Sequence, residues 1–261
     1  MNNFATFLSL GSFGRVGNQL FQIAATIGYA RKQNFDYIFP QWQCNYTNKY
    51  MSQYFKKNIP QQSVVSTRNT YQEQHFHHVD IPRMENVDLK GWFQSKKYWE
   101  NCEDEIREYF EPHQTVVHRM YEKYGHLLGT ENCAIHVRLG DYVGHEIHGV
   151  CNVNYYNRAI EELKKRKDIQ NFLLFSDDIQ TARQMFPSNF NIIQNNIDVE
   201  DLFLMSFCKN FIIPNSSFSW WAAYLSKNND KLIYAPDRWF ANPSYAIDND
   251  IYNPNMIKIN F

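Results

Sequence analysis

Residues 211–225 read FIIPNSSFSWWAAYL, and this stretch decides the fold class. Three apolar residues come first, Pro214 and Asn215 turn the chain, and serines precede a run of aromatic and apolar residues. An apolar strand that leads through a tight loop into a helix is the repeating unit of α/β proteins. The stretch therefore predicts a strand, a loop and a helix in direct succession.

The same alternation continues on both sides of this stretch. Strands are predicted at CAIHVRL (133–139), NFLLFSDD (171–178), FNIIQ (190–194) and KLIYAPDRWF (231–240), the last of the chain. Helices are predicted at NVNYYNRAIEELKKRKD (152–168), DIQTARQMF (178–186) and DVEDLFLMSFCK (198–209). Strands that alternate with helices at short intervals indicate a parallel sheet covered on both faces.

A second α/β half is predicted at the start of the chain. FATFLSL (4–10) has the character of a strand, GSFGRVGNQ (11–19) that of a glycine loop, and LFQIAATIGYARKQN (20–34) has helical spacing. Residues 41–90 are rich in polar and aromatic side chains and show no clear period. We place the boundary between the halves near 125–130, which gives domains 1–128 and 129–261.

Composition limits the function classes. The formal net charge of −1 argues against binding nucleic acid through bulk charge, and 44% hydrophobic residues supply a large core. The five cysteines are scattered and form no CxxC pair, which favours reduced thiols. No apolar run is long enough for a membrane span. We expect a cytoplasmic protein whose membrane contact, at the inner face, is peripheral at most.

Polar side chains follow three of the predicted strands where each strand ends. Ligands of parallel α/β sheets bind beyond the carboxyl ends of the strands, so these side chains are candidates for one site. A fixed guanidinium at Arg138 suits phosphate oxygens, and hydroxyls at a helix start suit an anion. The candidates are His136, Arg138, Asp141, Asp177, Asp178, Asn215, Ser216, Ser217 and Ser219.

Each of these candidates also has a purely structural interpretation. Asp141 can orient Arg138 for a ligand, or the two can form a structural ion pair. Asp177 and Asp178 can bind a metal, cap the next helix, or accept N–H donors of a guanine or a sugar. One serine can be an ordinary helix cap, with Trp220 and Trp221 in the core.

Four further patterns carry weaker signals. GSFGRVGNQLFQ has a GxxGxxG spacing, neither a dinucleotide fingerprint nor a P-loop, but it allows a ligand to approach the backbone. HFHH (75–78) lacks a carboxylate at a fixed spacing, and HEIHG (145–149) is one residue short of HExxH. DND (248–250) follows no apolar strand. We therefore predict no metal site.

Together these motifs resemble the bacterial α-1,2-fucosyltransferases, which use GDP-fucose. The matching pieces occur in the family's order: GRVGNQLFQIA, GWFQSKKYW, IHVRLGDY, NVNYYNRAI, FLLFSDD, DLFLMSFCKNFIIPNSSFSWWAAYL and YAPDRWF. They span nearly the whole chain and thin out over 41–90. The family usually has His-x-Arg-Arg-Gly-Asp, and here Leu139 replaces the second arginine. The replacement removes one positive charge and bears either on donor affinity or on a contact to the second domain.

The resemblance implies a GT-B fold, two facing Rossmann-like domains with the active site in the cleft between them. It implies inverting transfer of L-fucose to the 2-hydroxyl of a galactose in a glycan, without a metal or other cofactor. The first domain is expected on the acceptor side and the second to bind GDP-fucose. Donor contacts are then expected from Gly14, Gly17, Asn18, Gln19, His136, Asp177, Asp178, Asn215, Ser216, Ser217, Phe218 and Ser219.

The catalytic residues that follow from this chemistry are Arg138, Asp141 and Glu146. Arg138 would stabilise the leaving diphosphate. Asp141, His145 and Glu146 lie close to it along the chain and are candidates for the base that accepts the acceptor's proton, with Glu146 preferred. Two alternatives stay open: fucose transfer with another linkage, α-1,6 or peptide O-linked, and a nucleotide- or glycan-binding module without turnover.

Overall fold

The computed structural model describes residues 3–245 and 250–260, which form two compact units. The first unit contains residues 3–114 and 250–252, and the second contains residues 115–245 and 253–260. The division falls after Gln114, the first residue of helix α3 (Gln114–Leu128), whereas the sequence suggested a boundary after residue 128. Helix α3 joins the second unit, where Tyr124 of the helix hydrogen-bonds with Asn196.

The first unit is a four-stranded parallel sheet with order β2-β1-β6-β5, accompanied by a short antiparallel hairpin, β3-β4. Its strands are β1 (Phe4–Thr6), β2 (Asp36–Tyr37), β3 (Gln43–Cys44), β4 (Lys49–Tyr50), β5 (Asn69–Gln72) and β6 (Val87–Lys90). Its helices are α1 (Val16–Gln33) and α2 (Glu103–Tyr109), with 3₁₀ turns at Met51–Tyr54, Lys96–Tyr98 and Glu100–Cys102.

Helix α1 begins earlier than its apolar spacing predicted. It starts at Val16, so Gly17, Asn18 and Gln19 belong to its first turn rather than to the glycine loop. It ends at Gln33, and the next residue, Asn34, adopts the left-handed conformation with φ 55° that is common after a helix C-terminus. The helix is buried almost continuously from Val16 to Ala30, because it packs against the sheet of the first unit.

The second unit is a six-stranded parallel sheet with order β12-β11-β10-β7-β8-β9. Its strands are β7 (Asn132–Val137), β8 (Asn171–Ser176), β9 (Asn191–Ile192), β10 (Asn210–Ile212), β11 (Ile233–Pro236) and β12 (Met256–Ile259). Its helices are α3, α4 (Val153–Lys164), α5 (Ile179–Met185), α6 (Asp198–Ser206) and α7 (Ser217–Leu225), with 3₁₀ turns at Gly140–Tyr142 and Pro243–Tyr245.

One strand prediction is wrong. The segment 231–240 is not the last strand, because β12 follows it and pairs with β11 in parallel from Met256 to Ile259. This edge strand is short and Met256 is its one buried residue, so it lacks the continuous apolar run of a central strand. The other strands and helices predicted between 132 and 236 are all present.

The core of the second unit surrounds β7, which is buried along its whole length. Trp220 and Trp221 on α7 are fully buried, as predicted from their position after the serines. The strand order reverses between β7 and β10, since β8 and β9 extend the sheet on one side and β11 and β12 on the other. Ligands of open α/β sheets bind at such a reversal point, outside the carboxyl ends of the strands.

Candidate functional site

The loops after β7 and β10 meet at this reversal point. Ile135 of β7 lies opposite Ile212 of β10 in the parallel register, so both strands end at the same edge of the sheet. Arg138 follows β7, and Ser216 and Ser217 follow β10 at the start of α7. The structure therefore brings the predicted guanidinium and the serine loop to one edge.

Arg138 is held between two carboxylates. Its Nη1 lies 3.0 Å from Asp177 Oδ2, and its Nη2 contacts Asp141 Oδ1. The guanidinium also lies 5.2 Å from the ring centroid of Tyr142, and only 12% of the Arg138 side chain is exposed. Asp141 is 59% exposed, so an incoming anion can compete with it for the guanidinium. The structure shows the Arg138–Asp141 ion pair, and the role of Asp141 in orienting the guanidinium for a ligand stays a prediction.

Asp177 fixes the backbone of this loop as well as the guanidinium. Its Oδ1 accepts the backbone N–H of Leu139 at 2.9 Å. A Cβ atom at position 140 would lie 2.3 Å from Asp177 Oδ2, which explains the glycine there. The Leu139 side chain points into the core of the second unit and is 6% exposed. The position that the family usually fills with a second arginine is therefore an apolar core position in this chain.

His136, near the end of β7, is a buried and neutral ring next to the site. Its Nδ1 is 2.9 Å from Ser219 Oγ, and its ring centroid is 5.5 Å from that of Phe218. Burial, reinforced by the charge of Arg138, lowers the pKa of His136 to about 3. The imidazole is consequently uncharged at neutral pH, and its bond to Ser219 joins β7 to helix α7.

The serines of the loop do not have equivalent surroundings. Ser219 is fully buried, and its hydroxyl also lies 3.4 Å from the carbonyl of Ser216. Ser216 is the residue that precedes α7, yet its hydroxyl makes no capping hydrogen bond. Helix N-termini bind anions through free backbone N–H groups and the helix dipole. Ser216 and Ser217 lie at that terminus. Ser219 stabilises it from within the core through its contacts with His136 and with the carbonyl of Ser216.

Asn215 is a buried link between three loops. Its Nδ2 donates to the carbonyls of Gly149, at 3.1 Å, and Trp239, at 2.9 Å. Its own carbonyl accepts from the hydroxyl of Tyr142 at 3.4 Å. The side-chain amide of Asn215 is therefore engaged in holding the rim of the site together.

Asp178 caps helix α5. Its Oδ1 accepts the backbone N–H of Thr181 at 3.1 Å, and its Oδ2 accepts the Thr181 hydroxyl at 2.6 Å. These hydrogen bonds lower the pKa of Asp178. The capping interpretation describes its side chain, and Asp177 is the member of the pair that reaches Arg138.

Residues 140–149 form a loop built on stacked rings. The ring of His148 lies parallel to that of Tyr142, with centroids 4.5 Å apart, and 4.9 Å from the ring of His145. Nδ1 of His145 accepts the backbone N–H groups of Ile147 and His148. Glu146 is exposed on the same loop. The sequence excluded HEIHG as a metal motif and offered His145 as a candidate base, but it did not predict that the rings of His145 and His148 pack together.

The glycine loop of the first unit is held by Gln19. Its buried Nε2 donates to the carbonyls of Gly14, at 2.7 Å, and Gly11, at 3.3 Å, and its Oε1 accepts the indole N–H of Trp42 at 2.8 Å. Gln19 was expected to approach the donor, but its amide is engaged inside the unit. Gly17 is likewise buried in α1.

Asn18 and Gly14 lie nearer the surface of the first unit. Oδ1 of Asn18 accepts from Nε2 of Gln94 at 2.9 Å, and both side chains are half-buried. Gly14 has φ +82°, and a Cβ there would lie within 3 Å of Asn18 and of Trp92. Trp92 belongs to the turn after β6 and was not among the predicted site residues.

Among residues 3–245 and 250–260, no group of three or more histidine, cysteine, aspartate or glutamate side chains is placed to hold a metal ion. Of the DND motif, Asp248 and Asn249 lie outside the described residues, and Asp250 accepts from Lys97 and from the backbone of His78. No helix in these two described ranges has the length and apolarity of a membrane span.

The family model for "Glycosyl transferase family 11" matches residues 14–260. The chain belongs to this family. An Escherichia coli family relative named "O-antigen biosynthesis glycosyltransferase WbnK" is 39% identical over 117 residues, a match that covers 41% of this chain and 39% of that relative. The family resemblance inferred from the motifs is thereby confirmed.

Two further relatives match over most of the chain. The Escherichia coli "Alpha-1,2-colitosyltransferase" is 31% identical over 213 residues, covering 78% of this chain and 70% of the relative. The Caenorhabditis elegans "Galactoside 2-alpha-L-fucosyltransferase" is 26% identical over 247 residues, covering 84% and 69%.

Solved fucosyltransferases share the fold of this family 11 chain. NodZ, an α-1,6-fucosyltransferase co-crystallised with GDP, aligns with a TM-score of 0.60 and 13% identity, covering 86% of this chain and 93% of NodZ. At this identity the likeness concerns the fold alone, and it confirms the predicted GT-B class. The chain is a glycosyltransferase of the fucosyltransferase type.

Proposed function

We propose that this chain is an inverting transferase that moves L-fucose from GDP-fucose to the 2-hydroxyl of a galactose in a glycan acceptor. The observation that carries the proposal is that Arg138 and the start of α7 follow the adjacent parallel strands β7 and β10, at the strand-order reversal of the second unit. The names of the colitosyltransferase and of the Caenorhabditis elegans relative support a 1,2-linkage and a galactoside acceptor.

The reaction breaks the bond between the fucosyl C1 and a β-phosphate oxygen of GDP, and that oxygen gains negative charge. Arg138 donates to it from a fixed position, because Asp177 restrains the guanidinium. The N–H groups at the start of α7, together with the hydroxyls of Ser216 and Ser217, supply further donors. These groups provide the stabilisation for which other glycosyltransferases use a divalent cation, so we propose a metal-independent reaction.

The neighbouring residues position these groups. Asp177 orients Arg138, His136 and Ser219 connect β7 to α7, and Asn215 fixes the rim. In the proposal, Asp178 does not touch the donor itself. It fixes the start of α5, which it caps, and the start of α5 contacts the donor. Each of these side chains is used in an interaction within the second unit.

Inversion in one step also requires a base for the proton of the attacking hydroxyl. Asp141 is paired with Arg138, and Nδ1 of His145 accepts two backbone N–H groups. The carboxylate of Glu146 is exposed on the same loop. We therefore assign the proton to Glu146: as the hydroxyl oxygen attacks C1, the proton passes to the carboxylate and GDP leaves.

The test is the reaction of the purified chain with GDP-fucose and lactose. We expect GDP release, a trisaccharide with fucose on the 2-position of galactose by linkage analysis, and little change with EDTA. Glu146→Gln should lower turnover, with an unchanged affinity for GDP. A 6-linked product, or loss of activity with EDTA that Mg²⁺ restores, would contradict the proposal.

The colitosyltransferase match favours one second candidate, transfer of colitose from its GDP derivative. Colitose is fucose without the 3-hydroxyl, so a single pocket can distinguish the two by one hydrogen bond. The ratio of kcat/KM for the two donors decides between them. A pure binding module is the remaining alternative, and GDP binding without release from any galactoside would favour it.

A further inference from the structure

An exposed aromatic stack lies at the carboxyl edge of the sheet in the first unit. The rings of Phe13 and Trp92 are nearly parallel, with centroids 4.1 Å apart and an angle of 22° between their planes. Phe13 lies in the loop after β1, and Trp92 lies in the turn after β6, the strand next to β1. Phe13 is 36% exposed and Trp92 is half-buried in the full chain.

Trp92 differs from every other tryptophan of the chain. The remaining five are at most 3% exposed and belong to the cores of the two units: Trp42, Trp99, Trp220, Trp221 and Trp239. A partly exposed indole stacked on an exposed phenylalanine contributes little to a core. Apolar surface of this kind on a soluble protein commonly marks a binding site.

The turn that carries Trp92 is held in an unfavourable backbone conformation. Gly91 has φ +157° and Phe93 has φ +50°, which is rare for a residue with a side chain. The carboxylate of Glu73, at the end of β5, accepts the backbone N–H groups of Trp92, at 2.6 Å, and Phe93, at 3.0 Å. A Cβ at Gly91 would lie 2.4 Å from the Cβ of Glu73. Strain of this kind is retained mostly at functional sites.

Amide groups lie at the side of the stack. A Cβ at Gly14 would lie 2.6 Å from Asn18 Nδ2 and 2.9 Å from the Trp92 ring, so Asn18 is a close neighbour of the indole. Asn18 in turn hydrogen-bonds with Gln94. An aromatic face bordered by neutral amides matches a hexopyranose, which has one apolar C–H face and a rim of hydroxyls.

We propose that Phe13 and Trp92 form the platform on which the terminal galactose of the acceptor stacks, with the amides of Asn18 and Gln94 binding its hydroxyls. This inference rests on the proposed function, from which it takes the acceptor. Glu73 acts as a positioning residue for Trp92. The neutral aromatic surface suits an uncharged sugar, whereas the diphosphate of the donor suits the cation at Arg138.

The first experiment uses tryptophan fluorescence, because Trp92 is the one tryptophan that a quencher in solution can reach. Lactose should reduce acrylamide quenching of the wild-type chain in a saturable way, and sucrose should not. Trp92→Phe should abolish the lactose-dependent signal. A lactose effect that survives in Trp92→Phe, or protection of Trp92 by GDP alone, would overturn the proposal.

The second experiment separates acceptor from donor kinetics. We expect Phe13→Ala and Trp92→Ala to raise the KM for lactose at least tenfold, with the KM for GDP-fucose within twofold of wild type. Trp92→Phe, which keeps an aromatic face, should stay within about threefold for both substrates. Tyr121→Ala, which removes a 51% exposed aromatic side chain of the second unit, is the matched control and should change neither.

These experiments distinguish failure of the platform from failure of the proposed function. Transfer to galactose with an unchanged lactose KM in Phe13→Ala and Trp92→Ala rejects the platform and leaves the function intact. Protection of Trp92 by lactose without any transfer rejects the function and supports a galactoside site. A chain that neither transfers fucose nor shows protection rejects both.

Discussion

The carboxyl edges of the two parallel sheets carry opposite chemistry. In the second unit the edge holds a guanidinium, two carboxylates and the hydroxyls at a helix start, with Arg138 fixed by Asp177. In the first unit the edge holds the stacked rings of Phe13 and Trp92, and the nearby carboxylate of Glu73 is turned onto backbone N–H groups. The guanidinium and the helix-start N–H groups at one edge suit an ionised diphosphate, and aromatic carbon at the other suits a neutral sugar.

The largest effect is expected from removing the guanidinium of Arg138 at the sheet edge of the second unit. Arg138→Ala should lower kcat for fucose transfer by about 10²–10³, the usual cost of losing one preorganised donor to a developing negative charge. The KM for lactose should change by less than threefold. Steady-state kinetics with both substrates varied measures the two effects.

The control is Arg183→Ala, which removes an exposed arginine from helix α5 of the same unit. It should leave both constants unchanged. If the lactose KM rises in Arg138→Ala while kcat is preserved, the division of chemistry between the edges is wrong.

A second variant restores the arginine that the family usually has. Leu139→Arg should lower the free energy of unfolding by about 2–3 kcal/mol, because it exchanges a core side chain for a charge that must be desolvated. We expect no gain in GDP affinity from it. Denaturant unfolding with and without GDP checks this. A stable variant that binds GDP more tightly would show that the side chain can turn from the core into the site.

Ser217 and Ser219 allow donor binding and structural support to be compared within one loop of the second unit. Ser217→Ala should raise the KM for GDP-fucose about tenfold, the cost of one hydrogen bond to a charged group. Ser219→Ala removes the buried bond to His136 and should lower stability by about 1 kcal/mol. Kinetics and thermal unfolding of both variants separate the roles. Equal donor KM values for the two variants would contradict this assignment.

The smallest effect at neutral pH concerns His136. Its pKa in the folded chain, about 3, lies below the usual value near 6.5, so the unfolded chain binds the proton first as pH falls. The contribution of His136 to the free energy of unfolding is therefore fully present above pH 6.5 and decreases as the pH falls from 6.5 towards 3. His136→Gln should flatten the decline in a pH series of unfolding midpoints. If the unfolding midpoints of wild type and variant fall equally with pH, His136 does not contribute to the pH dependence of stability.

Sequence reasoning succeeded where the pattern is local. The alternation of strands and helices between 132 and 236, and the convergence of Arg138 with Ser216 and Ser217, follow from apolar runs and from the rule that parallel strands end at one edge. Helix α3 was missed although Val116, Met120 and Leu127 are spaced as on one helix face. Strand β12 was missed because a short edge strand has no continuous apolar run.

The roles of buried polar side chains could not be predicted in this way. Asn215 and Gln19 stand in motifs that indicate ligand contacts, and the structure uses their amides to hold loops of their own units. Such roles depend on carbonyls that are distant in sequence, for example Trp239 for Asn215. Trp92 was overlooked for the same reason, since Phe13 and Glu73 reach it only through the pairing of β1, β6 and β5.

The central claim is that the diphosphate of the donor binds where Arg138 meets the start of α7. Titration calorimetry of GDP and guanosine against wild type, Arg138→Ala and Arg183→Ala tests it most directly. We predict that GDP binds wild type and Arg183→Ala far more tightly than guanosine does, and that Arg138→Ala loses most of this difference. GDP affinity that is unchanged in Arg138→Ala, with the variant folded, would contradict the claim.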